Sequence, residues 1–401
     1  MTDEILTDPS KRIGILTSGG DCPGLNAVIY AVVKYARTVK NWRVYGIPNG
    51  TDGFVDIANG ICQPEDLELH EHSFDIPGQK GINVLLFLSG SVLGCRGKKV
   101  PKPGEAAKIL AGYRQIGLDA LIAIGGDGSL EIIADLAQQG GWNLVAVPKT
   151  IDNDIPLTDR VVGFDTAVDT VAATLHNLSF TAASHDHVMI VEVMGRDGGH
   201  LALHAGIAGG ADVILIPELI PYLTEKVVAN ICDRIAQIYR QRRKFALIVV
   251  AEGIDLDPLA EPCSKSAIGA DLKQQIEQYV DHHSDPQQSD FCRLQADLEV
   301  RVSVLGRIQR SSPPTTLDRL LAVSFGVKAV DAIAQSQSPS QQMVVWKGGQ
   351  TQIEPLARVI EKIRAEKAAR QAAKFPACAA PVDPQGFMVH TARSLGIYVG
   401  D

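Results

Sequence analysis

Residues 148–159 read PKTIDNDIPLTD and gather three carboxylates, Asp152, Asp154 and Asp159, directly behind the apolar run LVAV. If the segment is extended, Asp152 and Asp154 project to one side. One carboxylate could then take a proton from a hydroxyl while the other serves a metal ion, and a general base of this kind is worth roughly 10²–10⁴ in rate. The competing reading is an Asn-Asp turn ahead of Pro156. This stretch alone leaves both open.

Other stretches add complementary groups. GGDGS (125–129) frees the backbone with Gly125, Gly126 and Gly128 and places Asp127 among them, suiting Mg²⁺ held between a carboxylate and phosphate oxygens. The same Asp could instead cap the following helix. TSGGDCPGLNA (17–27) has neither the G-K-[ST] ending of a P-loop nor G-x-G-x-x-G spacing. Its Gly19 and Gly20 still allow backbone N–H groups to approach a phosphate, with a helix N-terminus behind them. VMGRDGG (193–199) puts Arg196 where a guanidinium could meet charge developing on a transferring phosphoryl group. EVRVSVLGRIQR (299–310) carries Arg301, Arg307 and Arg310, either a phosphate clamp or a solvated edge strand. HLALH spaces His200 and His204 at i and i+4 without the Glu of a zinc-protease helix, so both read as structural. His282 and His283 read as solvated within a polar loop.

These groups need elements to position them, and one pattern recurs: an apolar strand, a glycine-rich turn, then a helix. RIGILTSGGDCPGLNAVIYAVVKYA, DALIAIGGDGSLEIIADLAQQG and HVMIVEVMGRDGGHLALHAGIAGG follow it, and LVAVPKTIDND, ADVILIPE and FALIVVAEGI supply further strands. Such alternation predicts parallel sheet covered by helices, with ligands bound beyond the carboxyl ends of the strands. Residues 281–297 read as a polar loop, 355–374 as a charged amphipathic helix, and the stretch after it as irregular. The 401 residues are 45% hydrophobic, enough for two or three domains. A net charge of −8 argues against a general nucleic-acid binder. Seven cysteines without a C-x-x-C pair fit free thiols in a reducing cytosol, hence a cytoplasmic protein. No signal peptide or membrane span is expected.

Taken in order, ILTSGGDCPGLNA, GGDGS, PKTIDNDI, VEVMGRDGG with AGIAGGADVILIPE, VVAEG and LGRIQR closely resemble the 6-phosphofructokinase family over residues 11–330. The resemblance implies an α/β fold of two similar open, mostly parallel-sheet, three-layer domains. It implies a phosphoryl-donor domain of residues 1–155 plus about 306–375, a sugar-phosphate domain of about 156–305, and a C-terminal extension, 376–401. It implies phosphoryl transfer from Mg·ATP, or pyrophosphate in one branch, to the 1-hydroxyl of fructose 6-phosphate. Asp152 is then the base, with Thr150 and Asp154 beside the transferred group and its metal. Asp127 holds Mg²⁺, and Gly20, Gly126, Gly128 and Ser129 line the donor phosphates, with Arg96 near them. Arg196 stabilises the transferring group, and Met194, Gly195, Glu252 and Arg310 contact the sugar phosphate. Arg301 reaches into a neighbouring subunit's site, implying a homo-oligomer, a tetramer or a dimer.

The chain departs from the family pattern at several positions. Gly128 matches nucleotide users, whereas Lys149 matches pyrophosphate users and Ile132 replaces a Gly common near adenosine; the expectation is ATP, with the pyrophosphate-dependent enzyme or a weakly active regulatory paralogue as alternatives. His187 stands for an Arg that reaches the neighbour's substrate, which implies pH-sensitive sugar binding. Arg307 replaces a His and is expected to restore part of the phosphate clamp, while Ser311-Ser312 replace a Gly pair. Tyr30 and Lys34 occupy the positions of arginines in the family's ADP effector site, implying weak or absent ADP activation.

Overall fold

The computed structural model describes residues 11–74, 81–96, 100–102, 104–256, 267–283, 298–336, 339–372 and 378–400. Positions 284–297 of the expected polar loop, 97–99 of the loop bearing Arg96, and 373–377 after the charged helix lie outside these described residues. Two compact units interleave along the sequence. Unit 1 comprises Met1–Ile151, Ile155–Thr166 and Arg310–Arg364; unit 2 comprises Asp152–Asp154, Ala167–Gln309 and Ala365–Asp401.

Unit 1 is built on a six-stranded sheet of β1 (Arg12–Ser18), β2 (Arg43–Ile47), β3 (Ala120–Gly125), β4 (Leu144–Pro148), β11 (Gln341–Lys347) and β12 (Gln350–Pro355). The order is β12-β11-β4-β3-β1-β2, parallel throughout except for the β11–β12 hairpin. Every residue of ALIAIG in β3 and of LVAVP in β4 is buried. These strands are continuous apolar runs because helices cover both faces and leave no solvent side. The helices are α1 (Leu25–Thr38), α2 (Asp52–Ala58), α3 (Glu105–Ile116), α4 (Asp127–Gly140) and α9 (Thr316–Gln335), with α1 packed on α9 and α2 on α3. Register sets Ser18 beside Gly125 and Gly125 beside Pro148. The loops TSGGD, GGDGS and PKTIDND therefore leave the sheet side by side at its carboxyl edge.

Unit 2 has a four-stranded parallel sheet, β10-β5-β8-β6, from β5 (His187–Val193), β6 (Val213–Leu215), β8 (Ala246–Ala251) and β10 (Glu299–Val304). A small parallel pair joins β7 (Tyr222–Leu223) to β9 (Asp255–Leu256). Helices α7 (Glu225–Arg240) and α8 (Ile268–His283) bury Ile231, Ile235, Leu272 and Ile276 with Val188, Ile190, Ile248 and Val300 of the sheet. Helix α5 (Phe164–His185) precedes β5, and α6 (His200–Ala208) follows the VMGRDGG turn. Val193 pairs with Ala251, so the loops after β5 and β8 start level.

His282 and His283 are not in a loop. They close α8, each ring Nδ1 donating to the carbonyl four residues back, at 2.7 and 2.9 Å. The charged helix forms as α10 (Leu356–Ala372). Beyond it, residues 378–400 fold within unit 2. Helix α11 (Phe387–Ser394) leads to Tyr398, which lies opposite Val213 of β6, its N–H donating to the Asp212 carbonyl at 3.0 Å and its carbonyl accepting the Ile214 N–H at 2.8 Å. No described helix is long and apolar enough to cross a membrane.

Candidate active site

On unit 1, the turn after β1 depends on glycine. Gly19 has φ +88°, and a Cβ there would lie 2.6 Å from Ser129 Oγ and 3.4 Å from Lys149 Nζ. Lys149 is buried, and its ammonium donates to the Gly20 carbonyl. Arg310 Nη1 donates to the Asp21 carbonyl at 3.0 Å, and a Cβ on Gly20 would sit 3.0 Å from the same nitrogen. The turn is thus flanked by two cations. Arg310 is grouped with this turn in unit 1.

Gly126 precedes α4 in extended backbone, and Asp127 and Ser129, both buried, occupy its first turn. The N-terminus of this 14-residue helix offers N–H groups and a positive dipole end to an anion. Gly128 and Ile132 are half-buried on the same helix. Nearby a cavity of about 590 Å³ is lined by Gly19, Asp52, Cys95, Arg96, Lys102 and Glu105 among others. Arg96 therefore shares a cavity with the first glycine turn. Behind that turn, burial pushes the Cys22 thiol up to about 12, so it packs as a neutral group. Among the described residues, no three His, Cys, Asp or Glu side chains are placed to hold a metal by themselves. Mg²⁺ usually needs one or two carboxylates and takes its remaining ligands from phosphates and water, so Asp127 fits that mode and no all-protein cage.

On unit 2, Asp152 and Asp154 are both buried. The segment is not extended as the same-side reading required: Asn153 between them has φ +51°. The segment turns at a left-handed Asn, and the two carboxylates on either side of it are buried, where an ordinary surface turn would expose them. Arg196 Nη1 lies 3.7 Å from Asp154 Oδ2. Its backbone is held in an unusual conformation, with φ +143° at Gly195 and +51° at Arg196. The Gly198 N–H donates to the Gly195 carbonyl at 2.9 Å, and the Arg196 N–H donates to Glu252 Oε1 at 2.9 Å. A Cβ on Gly253 would come within 2.2 Å of the Arg196 carbonyl. The loop after β8 thus presses on the loop after β5 with bare backbone.

Gln309 was not singled out from the sequence. It is fully buried, its Oε1 accepts the Met194 N–H at 3.2 Å, and its Nε2 donates to the Gly306 carbonyl at 2.8 Å. It ties the end of β5 to the 3₁₀ turn Gly306–Arg310, on which Arg307 is exposed. Charge drew attention to its arginine neighbours; a neutral amide gave no such signal.

His187 and Arg301 lie elsewhere. His187 begins β5 and Met194 follows its end, a separation of roughly 20 Å at strand rise. His187 Nε2 is 2.9 Å from Glu299 Oε2, and Arg301 pairs with the other oxygen of Glu299. The structure gathers Asp154, Arg196, Met194, Gly195 and Glu252 on one side of unit 2 and leaves His187 at the amino end of the sheet, with Arg301 beside Met189 in the neighbouring strand. On α1, the Lys34 ammonium sits 5.5 Å from the centre of the Tyr30 ring.

Comparison with known proteins completes this picture. ATP-dependent 6-phosphofructokinase 2 of Nostoc sp. is 47% identical over 398 residues, covering 98% of this chain and 99% of the relative. ATP-dependent 6-phosphofructokinase of Trichormus variabilis is 46% identical over 399 residues, covering 98% and 99%. The structure of Pichia pastoris phosphofructokinase in the T-state superposes with a TM-score of 0.76 at 27% identity, over 92% of this chain and only 37% of that larger one. The sequence profile described as Phosphofructokinase matches residues 12–333. With that match across both glycine-turn sets, the chain belongs to the phosphofructokinase family.

Proposed function

We propose that this protein is an ATP-dependent 6-phosphofructokinase. It transfers the γ-phosphoryl group of ATP to the 1-hydroxyl of fructose 6-phosphate, giving fructose 1,6-bisphosphate and ADP. The observation that carries the reading is the pairing of a backbone-constrained Arg196 with buried Asp154, two residues beyond buried Asp152. A base, a cation for the transferring group and a second carboxylate are what phosphoryl transfer to an alcohol asks of a protein.

Asp152 takes the hydroxyl proton as the sugar oxygen bonds to phosphorus and the bond to the ADP oxygen breaks. Arg196 stabilises charge on the transferring group, and Thr150 hydrogen-bonds beside it. Gly20, Gly126, Gly128 and Ser129 bind donor phosphates with the α4 N-terminus, and Arg96 adds positive charge from the cavity. Mg²⁺, when bound, would neutralise phosphate oxygens, and Asp127 is the residue that would hold it. Met194, Gly195, Glu252, Arg307 and Arg310 serve the sugar phosphate. His187 and Arg301 are proposed to serve a neighbouring subunit's sugar site in a homo-oligomer. The distance of His187 from Met194 within one chain supports that assignment. The five described cysteines are all free thiols, which supports a reducing, cytoplasmic setting.

Gly128 is proposed to set the donor as ATP, with Lys149 tolerated because its ammonium is engaged by the Gly20 carbonyl. Initial rates with fructose 6-phosphate and Mg²⁺, with ATP and pyrophosphate offered in parallel, test this. Turnover with ATP alone is expected. Turnover with pyrophosphate alone overturns the donor assignment, and turnover with neither overturns the enzymatic reading in favour of a regulatory paralogue.

A further inference from the structure

The turn that carries Arg196 is held from a second side by the C-terminal segment. Residues 195–199 include three glycines, and the left-handed Arg196 among them is strained unless its surroundings fix it. Glu252 and Gly253 hold the front of the turn; its back rests on Cys378–Val382. The Cys378 sulfur covers Gly198, where a Cβ would approach it to 3.0 Å. The His200 ring Nε2 lies 2.9 Å from the Ala380 carbonyl, and a carbonyl only accepts, so Nε2 carries the proton. Glu218, itself buried, uses one oxygen for two backbone donors: the Gly199 N–H at 2.9 Å and the Val382 N–H at 3.0 Å. A Cβ at Gly199 would lie 2.6 Å from the other Glu218 oxygen, so only glycine admits the carboxylate. One carboxylate thus joins the arginine turn to a segment more than 160 residues away.

We propose that Glu218 and His200 are positioning residues for phosphoryl transfer, and that Cys378–Val382 is a strap that locks the 195–199 turn and with it the Arg196 guanidinium. The proposal rests on the assignment of Arg196 to the transferring group. It gives the C-terminal segment a part in the reaction, although none of its residues touches substrate. Such a device acts on the chemical step rather than on substrate affinity, because a displacement of about 1 Å in a charge-stabilising group can cost up to ~100-fold in rate.

The test compares Glu218→Ala, Glu218→Gln, His200→Ala and His200→Gln in the full chain. Two readouts are used: steady-state kinetics, and hydrogen–deuterium exchange of the peptide spanning 195–203. Glu218→Ala should lower kcat about 10- to 100-fold with both KM values within about twofold, and should speed exchange in that peptide. Glu218→Gln keeps the accepting oxygen and should recover most of kcat. His200→Ala should act in the same direction and His200→Gln, whose amide can donate to Ala380, should restore it. The His200 pair decides the matter if Glu218→Ala fails to fold. A folded alanine variant with full kcat, a loss carried wholly by KM, or faster exchange without loss of kcat overturns the strap. Absence of turnover in the unaltered enzyme overturns the functional reading instead, and shows itself before any variant is compared.

Discussion

At the scale of single residues, Asp152 and Arg307 make the sharpest predictions. Asp152→Asn removes the base but keeps the shape of a buried side chain. It should cut kcat by roughly 10²–10⁴ while leaving KM for both substrates little changed. Arg307→His restores the residue usual in the family and, if Arg307 serves the phosphate clamp, should raise KM for fructose 6-phosphate several-fold; an unchanged KM removes Arg307 from the site. The residues that announce themselves in sequence are charges placed just beyond the end of an apolar strand: Asp127, Asp152 and Arg196. What stayed hidden is how the carboxylates reach the interior. PKTIDND written as a line suggested an extended pair, whereas the left-handed Asn153 turns the chain between them. Gln309 and Glu218 were equally silent, because their work is to satisfy backbone N–H groups contributed by distant segments.

At the scale of elements, the strand–turn–helix order was readable because apolar runs, glycine turns and helical periodicity all agree with the same parallel sheet. Boundaries set by long-range hydrogen bonds were not. Asp318, fully buried near the start of α9, accepts the backbone N–H groups of Gly163 at 3.0 Å and Thr166 at 2.8 Å, together with the Thr166 hydroxyl. It supplies the acceptors that the first turn of α5 lacks. Asp318→Ala should therefore cost roughly 2–4 kcal/mol and lower Tm by several degrees, whereas an exposed aspartate lost from a helix would barely register. Thermal unfolding followed by circular dichroism checks this. Helix ends have the same logic elsewhere: the two histidines at 282 and 283 close α8, although their polar surroundings in sequence read as loop.

At the scale of the whole molecule, the separation of His187 from Met194 within unit 2 is what the proposed intersubunit sugar site rests on. If that is right, Asp152→Asn and Arg301→Ser are each inactive alone but recover part of the activity when the two are dissociated and reassembled together. No recovery in assembled mixtures would confine the whole sugar site to one chain. Where the two units divide was only partly legible, since contacts made by residues far apart in the chain decide it. Residues 378–400 fold within unit 2, where Tyr398 extends the edge of β6. The interleaving has a further consequence, for the order in which the protein is made. Strand β4 leaves the ribosome with β3 beside it but must wait for residues 341–343 before its other edge is paired. Unit 2 in turn lacks part of its own fold until residues past 365 have been synthesised. Unit 1 stays open until its last segment, Arg310–Arg364, has been made, so a nascent chain of some 300 residues holds an open parallel-sheet edge, and ribosome stalling in that window should send this protein toward aggregation rather than toward a half-folded, active fragment.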